Sequence, residues 1–187
     1  MPLDITFTLS DNDLAHFQQV VDRAKSASKK ELKEAEIEQA ALELIQKATA
    51  GNLPDFIAER ISKLRVITDM LSYSEWQLGP SDRERVLSAL LYFCDPDDLI
   101  PDDVPGLGYL DDAIYIELMM QKLGAEIGSY EEFCQFRANE EERRRNKGLD
   151  PHVQREHWLA EKRMEIQADM KSRRHRLPSP TGWRLRW

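Results

Sequence analysis

Apolar residues recur at intervals of three and four through most of this chain, and that period predicts helices. Ile37, Ala41, Leu44, Ile45 and Ala48 share one face of a helix that starts after Ser28 and stops at Gly51 and Asn52. Phe56, Ile57, Ile61, Leu64, Ile67 and Leu71 mark a second helix, with Pro54 suited to its first turn. Gly79 and Pro80 break the chain, and Ser81-Asp82-Arg83-Glu84 reads as a capping box for a third. Val86, Leu87, Leu90, Leu91 and Phe93 follow it. Beyond Ser88 this helix is apolar nearly all round, which places it at the centre of the core. It ends at Cys94, because Asp95 precedes Pro96 and is driven out of the α region.

Elsewhere the pattern changes. Ile5, Phe7 and Leu9 alternate with Thr6 and Thr8, a short strand pattern with no second strand to pair, so the segment is expected as an extended arm. Ser10 then caps a helix carrying Leu14, Phe17, Val20 and Val21. Leu110, Ile114, Leu118, Met119 and Leu123 predict a helix that Gly124 and Gly128 interrupt, with Ser129-Tyr130-Glu131-Glu132 capping the next. That next helix turns almost wholly charged. Its pairs Glu140–Arg144 and Glu141–Arg145 stand four apart in the favourable order. A last helix is expected from Asp150-Pro151 to about Arg174, with sparse apolar positions at Val153, Trp158, Leu159, Ile166 and Met170. The expected fold is all-α: a compact helical domain over 1–127, a projecting charged helical extension over 128–175, and a basic, aromatic tail over 176–187.

Between the central helix and the one at Leu110 the chain crowds turn formers and aspartates. Pro96, Pro101 and Pro105 forbid continuous helix, and Gly106 and Gly108 allow positive φ or close backbone approach. Asp98 and Asp102 suit short turns, while Asp111 and Asp112 favour the positive end of the following helix. The run DPDDLIPDDVPGLGYLDDAIYI resembles the signature of the YkvA-like family of uncharacterised bacterial proteins (DUF1232). Pro96, Asp98, Leu99, Ile100, Pro101, Asp102, Pro105, Gly108, Asp111 and Asp112 fall on that pattern, and Asp95 stands where the family has Ser. The resemblance covers about 86–124. It implies a small helical domain, in some members membrane-associated, and carries no established activity.

Net charge is −8, unevenly spread: residues 171–187 carry +6 and the rest −14. Cys94 and Cys134 have no metal-type spacing and read as two reduced thiols. No segment approaches the ~20 apolar residues that span a bilayer, and the N-terminus lacks a secretory pattern, so the expected location is cytoplasmic, with peripheral membrane contact as the variant. The aspartates Asp98, Asp102, Asp111 and Asp112 are the one constellation that suits a divalent cation, and hence a metal-dependent hydrolase or phosphodiesterase. Their spacing is not that of an EF-hand, and capping explains them more simply. No other cofactor is indicated, and no nucleophile–base pair or phosphate loop is present. Arg173, Arg174, Arg176, Arg184 and Arg186 with Trp183 and Trp187 combine cations with amphipathic rings. Such a segment fits a protein partner, an anionic membrane or nucleic acid, or else folds back on the acidic body. The leading expectation is a non-enzymatic interaction or regulatory module; nothing in the pattern sets an oligomeric state.

Overall fold

The computed structural model describes residues 10–12, 15, 19, 22, 33–51, 53–94, 100, 104 and 107–176, with the side chains of 175 and 176 excepted. The chain is all-α, and no strand occurs among the described residues. The helices are α1 (Glu34–Ala50), α2 (Asp55–Ser72), α3 (Pro80–Leu90) extended by a 3-10 turn (Leu91–Cys94), α4 (Leu110–Lys122), α5 (Gly124–Asn146) and α6 (Arg155–Arg176). The extended arm expected over 4–9 and most of the helix after Ser10 lie outside the described residues.

The apolar stripes read from the sequence become the buried faces. Ile37, Ala41, Ile45 and Ala48 of α1 meet Ile57, Ile61, Leu64, Ile67 and Leu71 of α2. Val86, Leu87, Ala89 and Leu90 bring α3 into the same core, against α1 and α2. α4 packs along α2, and α5 along α6. At the start of the central turn α3 tightens to 3-10 geometry after Leu90, and that geometry runs to Cys94.

Three local expectations are overturned. Ser81 is not a cap: Gly79 occupies that position, Pro80 takes the first helical turn, and no side chain caps the helix. Proline's fixed φ and missing N–H suit that first position, and they move the start one residue ahead of the serine. Likewise α5 is continuous from Gly124, so Gly128 lies inside a helix and Ser129 is buried rather than capping. Burial of Ile127, Tyr130 and Phe133 on the same helix outweighs the ~1 kcal/mol propensity deficit of one glycine. Position 127, the expected end of the core domain, therefore falls within α5. Finally, residues 151–154 form a turn, and α6 begins at Arg155. Gln154 adopts φ 55, a left-handed conformation that no α-helix propagates through.

The C-terminal extension returns on itself. α6 runs back along α5 and contributes Trp158, Leu159, Ile166 and Met170 to the common core. Its polar side chains clasp the loop between α2 and α3. Arg163 Nη1 donates to Glu75 O (2.8 Å) and Gln167 Nε2 to Trp76 O (2.8 Å). Arg155 pairs with both Glu75 and Glu141. Under this clasp Trp76 is fully buried against Phe133 and Tyr130, with ring centroids 5.3 and 6.1 Å apart.

Candidate functional site

The central turn is held from the α4 side. Asp111 stands in the first turn of α4, where the helix dipole favours a carboxylate. It is only 3% exposed, and its Oδ2 accepts from Ile100 N–H (3.2 Å) and from Tyr92 O–H (3.4 Å). One carboxylate thus joins the 3-10 turn, the loop and α4. Asp112 is buried beside it and is also engaged within the protein. Tyr115 Oη donates to Ala89 O at 2.6 Å and stacks on Tyr92 with centroids 4.1 Å apart, closing the two helices around the turn. Burial pushes the Tyr115 hydroxyl well above the ordinary phenol range.

Gly108 is buried, and its N–H donates to Val104 O at 2.8 Å. The left-handed residue in the described part of the turn is Tyr109, at φ 65, where the sequence directed attention to glycines. A bulky residue in that region is strained, and here burial of the ring and its place as N-cap of α4 hold it there. Pro96, Asp98, Pro101, Asp102, Pro105 and Gly106 lie outside the described residues. Among the described residues no group of three or more His, Cys, Asp or Glu side chains is arranged to hold a metal ion.

The cations assigned to a partner surface separate into two groups. Arg176, Trp183, Arg184, Arg186 and Trp187 lie outside the described side chains. Arg173 and Arg174 are both paired within the protein, to Glu132 and Asp169, and to Asp82 and Glu126. Glu126 is the most enclosed acid of this group, with no exposed side-chain surface, and Arg85 reaches it at 2.8 Å from α3. Sequence reasoning missed Glu126, Asp82, Tyr92 and Glu75 as organising residues. Each acts through a partner far along the chain, for which local spacing holds no signal.

Comparison with known proteins falls on this turn. Residues 85–118 match the family model described as "Protein of unknown function (DUF1232)". These residues are a YkvA-like DUF1232 segment. The chain is also similar to the "Uncharacterized membrane protein YkvA" of Bacillus subtilis (strain 168), 34% identical over 65 residues. That similarity covers 32% of this chain and 61% of the relative, so the chain spans less than two thirds of the curated relative it matches. No solved structure matches. The DUF1232 segment takes in the second half of α3, the turn and most of α4; α5 and α6 lie beyond it. No helix among the described residues is long and apolar enough to cross a membrane.

Proposed function

We propose that this protein is a non-enzymatic helical interaction module. In this reading the DUF1232 segment is its structural hub, and the basic, aromatic stretch from Arg173 to Trp187 meets a partner. The observation that supports it is the engagement of Asp111. A carboxylate buried on a backbone N–H and a tyrosine hydroxyl is built to hold a turn, whereas a metal-dependent hydrolase needs carboxylates converging on an open cleft. The test is a thermal melt of metal-stripped protein against Mg²⁺, Mn²⁺ and Ca²⁺. A cation bound at about 100 times its dissociation constant adds about 2.7 kcal/mol, a rise of about 5–10 °C for a chain of this size. An unchanged melt is expected. A rise that Asp98→Asn or Asp111→Asn abolishes would replace this reading with the hydrolase.

A second reading has its own support. The relative's printed name is that of a membrane protein, while this chain carries no spanning helix among its described residues and ends in two tryptophans among arginines. Peripheral attachment to an anionic bilayer fits that combination, since cations meet the headgroups and indole rings sit at the interface. Sedimentation with vesicles containing phosphatidylglycerol, with and without residues 177–187, tests it. Pelleting that disappears on truncation is expected, and none by the full chain would remove it.

A further inference from the structure

Residues 155–187 carry a net charge of +5, leaving −13 on the remainder of a chain whose total is −8. Where the two meet, the described side chains of the last turn of α6 are held by charge. Met170, fully buried, is the final apolar anchor of the helix; Lys171 and Ser172 are exposed. Arg173 Nη2 then lies 2.7 Å from Glu132, and its Nε donates to Asp169 at 2.7 Å. Arg174 Nη2 lies 2.6 Å from Asp82 and 2.9 Å from Glu126. Lifting this turn would uncover no apolar core, since Leu159, Ile166 and Met170 stay seated. The buried Glu126 carboxylate would keep Arg85 on the same oxygen at 2.8 Å, whereas Asp82, 6% exposed, would lose its arginine, and that loss is what holds the turn down.

We infer that the last turn of α6 is an electrostatic latch for which an anionic lipid surface competes. The Arg174 guanidinium, on the buried carboxylates of Asp82 and Glu126, is not free for a phosphate outside, and the half-exposed Arg173–Glu132 pair is the outer edge of the same contact. Arg173 and Arg174 therefore sit either on Glu132, Asp82 and Glu126 or on headgroups, with Asp169 of the same helix beside Arg173 in both. The inference rests on the peripheral-membrane reading above and adds its regulation: self-contact and membrane contact exclude one another, with the coupling reciprocal.

The test compares the full chain with Asp82→Asn and Glu132→Gln, conservative changes that each remove one seat. Vesicles of phosphatidylcholine with and without phosphatidylglycerol supply the surface. Both variants should bind anionic vesicles about fivefold more tightly than the parent, the low end of couplings between linked sites. Without lipid, amides of 171–174 should exchange faster in the variants, while those around Leu159 stay as protected as in the parent. Equal affinity of all three chains with unchanged exchange would overturn the latch and leave membrane attachment standing. Failure of every form to pellet would overturn both. Equal binding to neutral vesicles, or retention by nucleic acid in place of vesicles, would likewise overturn the proposal.

Discussion

Arg85 of α3 and Arg174 of α6 converge on a single oxygen of Glu126 at 2.8 and 2.9 Å, and that glutamate has no exposed side-chain surface. The two guanidinium groups back each other up. Either one alone keeps Glu126 paired, so Arg85→Ala should lower stability by about 1 kcal/mol, and Arg174→Ala by more, because it also takes the cation from the buried Asp82. Removing both leaves a carboxylate with no cation in a protein interior, a loss of about 3–5 kcal/mol. Urea unfolding of the parent, the singles and the double completes the cycle. Simple additivity would show that the arginines do not share the charge.

Gly128→Ala should raise stability by about 0.5–1 kcal/mol. The glycine lies inside α5, and a Cβ built there meets nothing within 4 Å. Alanine therefore keeps the helix and removes the entropy penalty of glycine without a clash. A shift of the urea midpoint at constant m-value checks this. A lower midpoint would mean that α5 bends at this position in solution.

That glycine also shows where reading the sequence runs out. Spacing alone identified the faces of α1 and α2, from Ile37 to Ala48 and from Ile57 to Leu71, because a helix buried on one side must repeat its apolar residues. It identified the stop at Cys94, because Pro96 acts on its immediate neighbours. It misplaced the caps at Ser81 and Ser129, since a four-residue motif says nothing of the tertiary burial that surrounds it. Asp82, inside the first of these motifs, is taken up by Arg174, 92 residues away. At the central turn Asp111 was visible as a candidate. Its engagement with Ile100 and Tyr92 was not, since that depends on how three separate segments meet.

Acid should weaken the charged end of α5 between about pH 4.5 and 2. Glu140 accepts from Arg143 at 2.6 and 2.7 Å and from Arg144 at 2.9 Å. Hydrogen bonding from Arg143, opposed by burial and helped by Arg144, holds its carboxyl at about 2. A carboxyl whose value in the folded state lies below that of the unfolded chain stabilises the fold above about pH 4.5. That contribution fades as pH falls toward 2. Side-chain carboxyl NMR through this window should place the Glu140 midpoint near the bottom. Glu140→Gln should remove that part of the acid sensitivity.

Both thiols should be sluggish. Burial pushes Cys94 and Cys134 above the ordinary thiol range, opposed at Cys134 by a hydrogen bond with Tyr130, and neighbouring carboxylates add to the rise at both. Thiolate is the reactive form, so disulfide reagents at pH 8 should modify the folded protein more slowly than the chain in urea. Equal rates in the two states would mean that α5 opens around Cys134 faster than the reagent attacks.

The clasp of α6 on the α2–α3 loop joins residues 80 to 91 positions apart: Arg155 to Glu75, Arg163 to Glu75 and Gln167 to Trp76. On the ribosome, Trp76 emerges while its cover is still unmade. A nascent chain that stalls before Arg155 presents a large indole, Tyr130 and Phe133 without the helix that closes over them. Emergence of α6 is thus the event that completes this core, and products of translation that lack it are the forms that chaperones and proteases would recognise first.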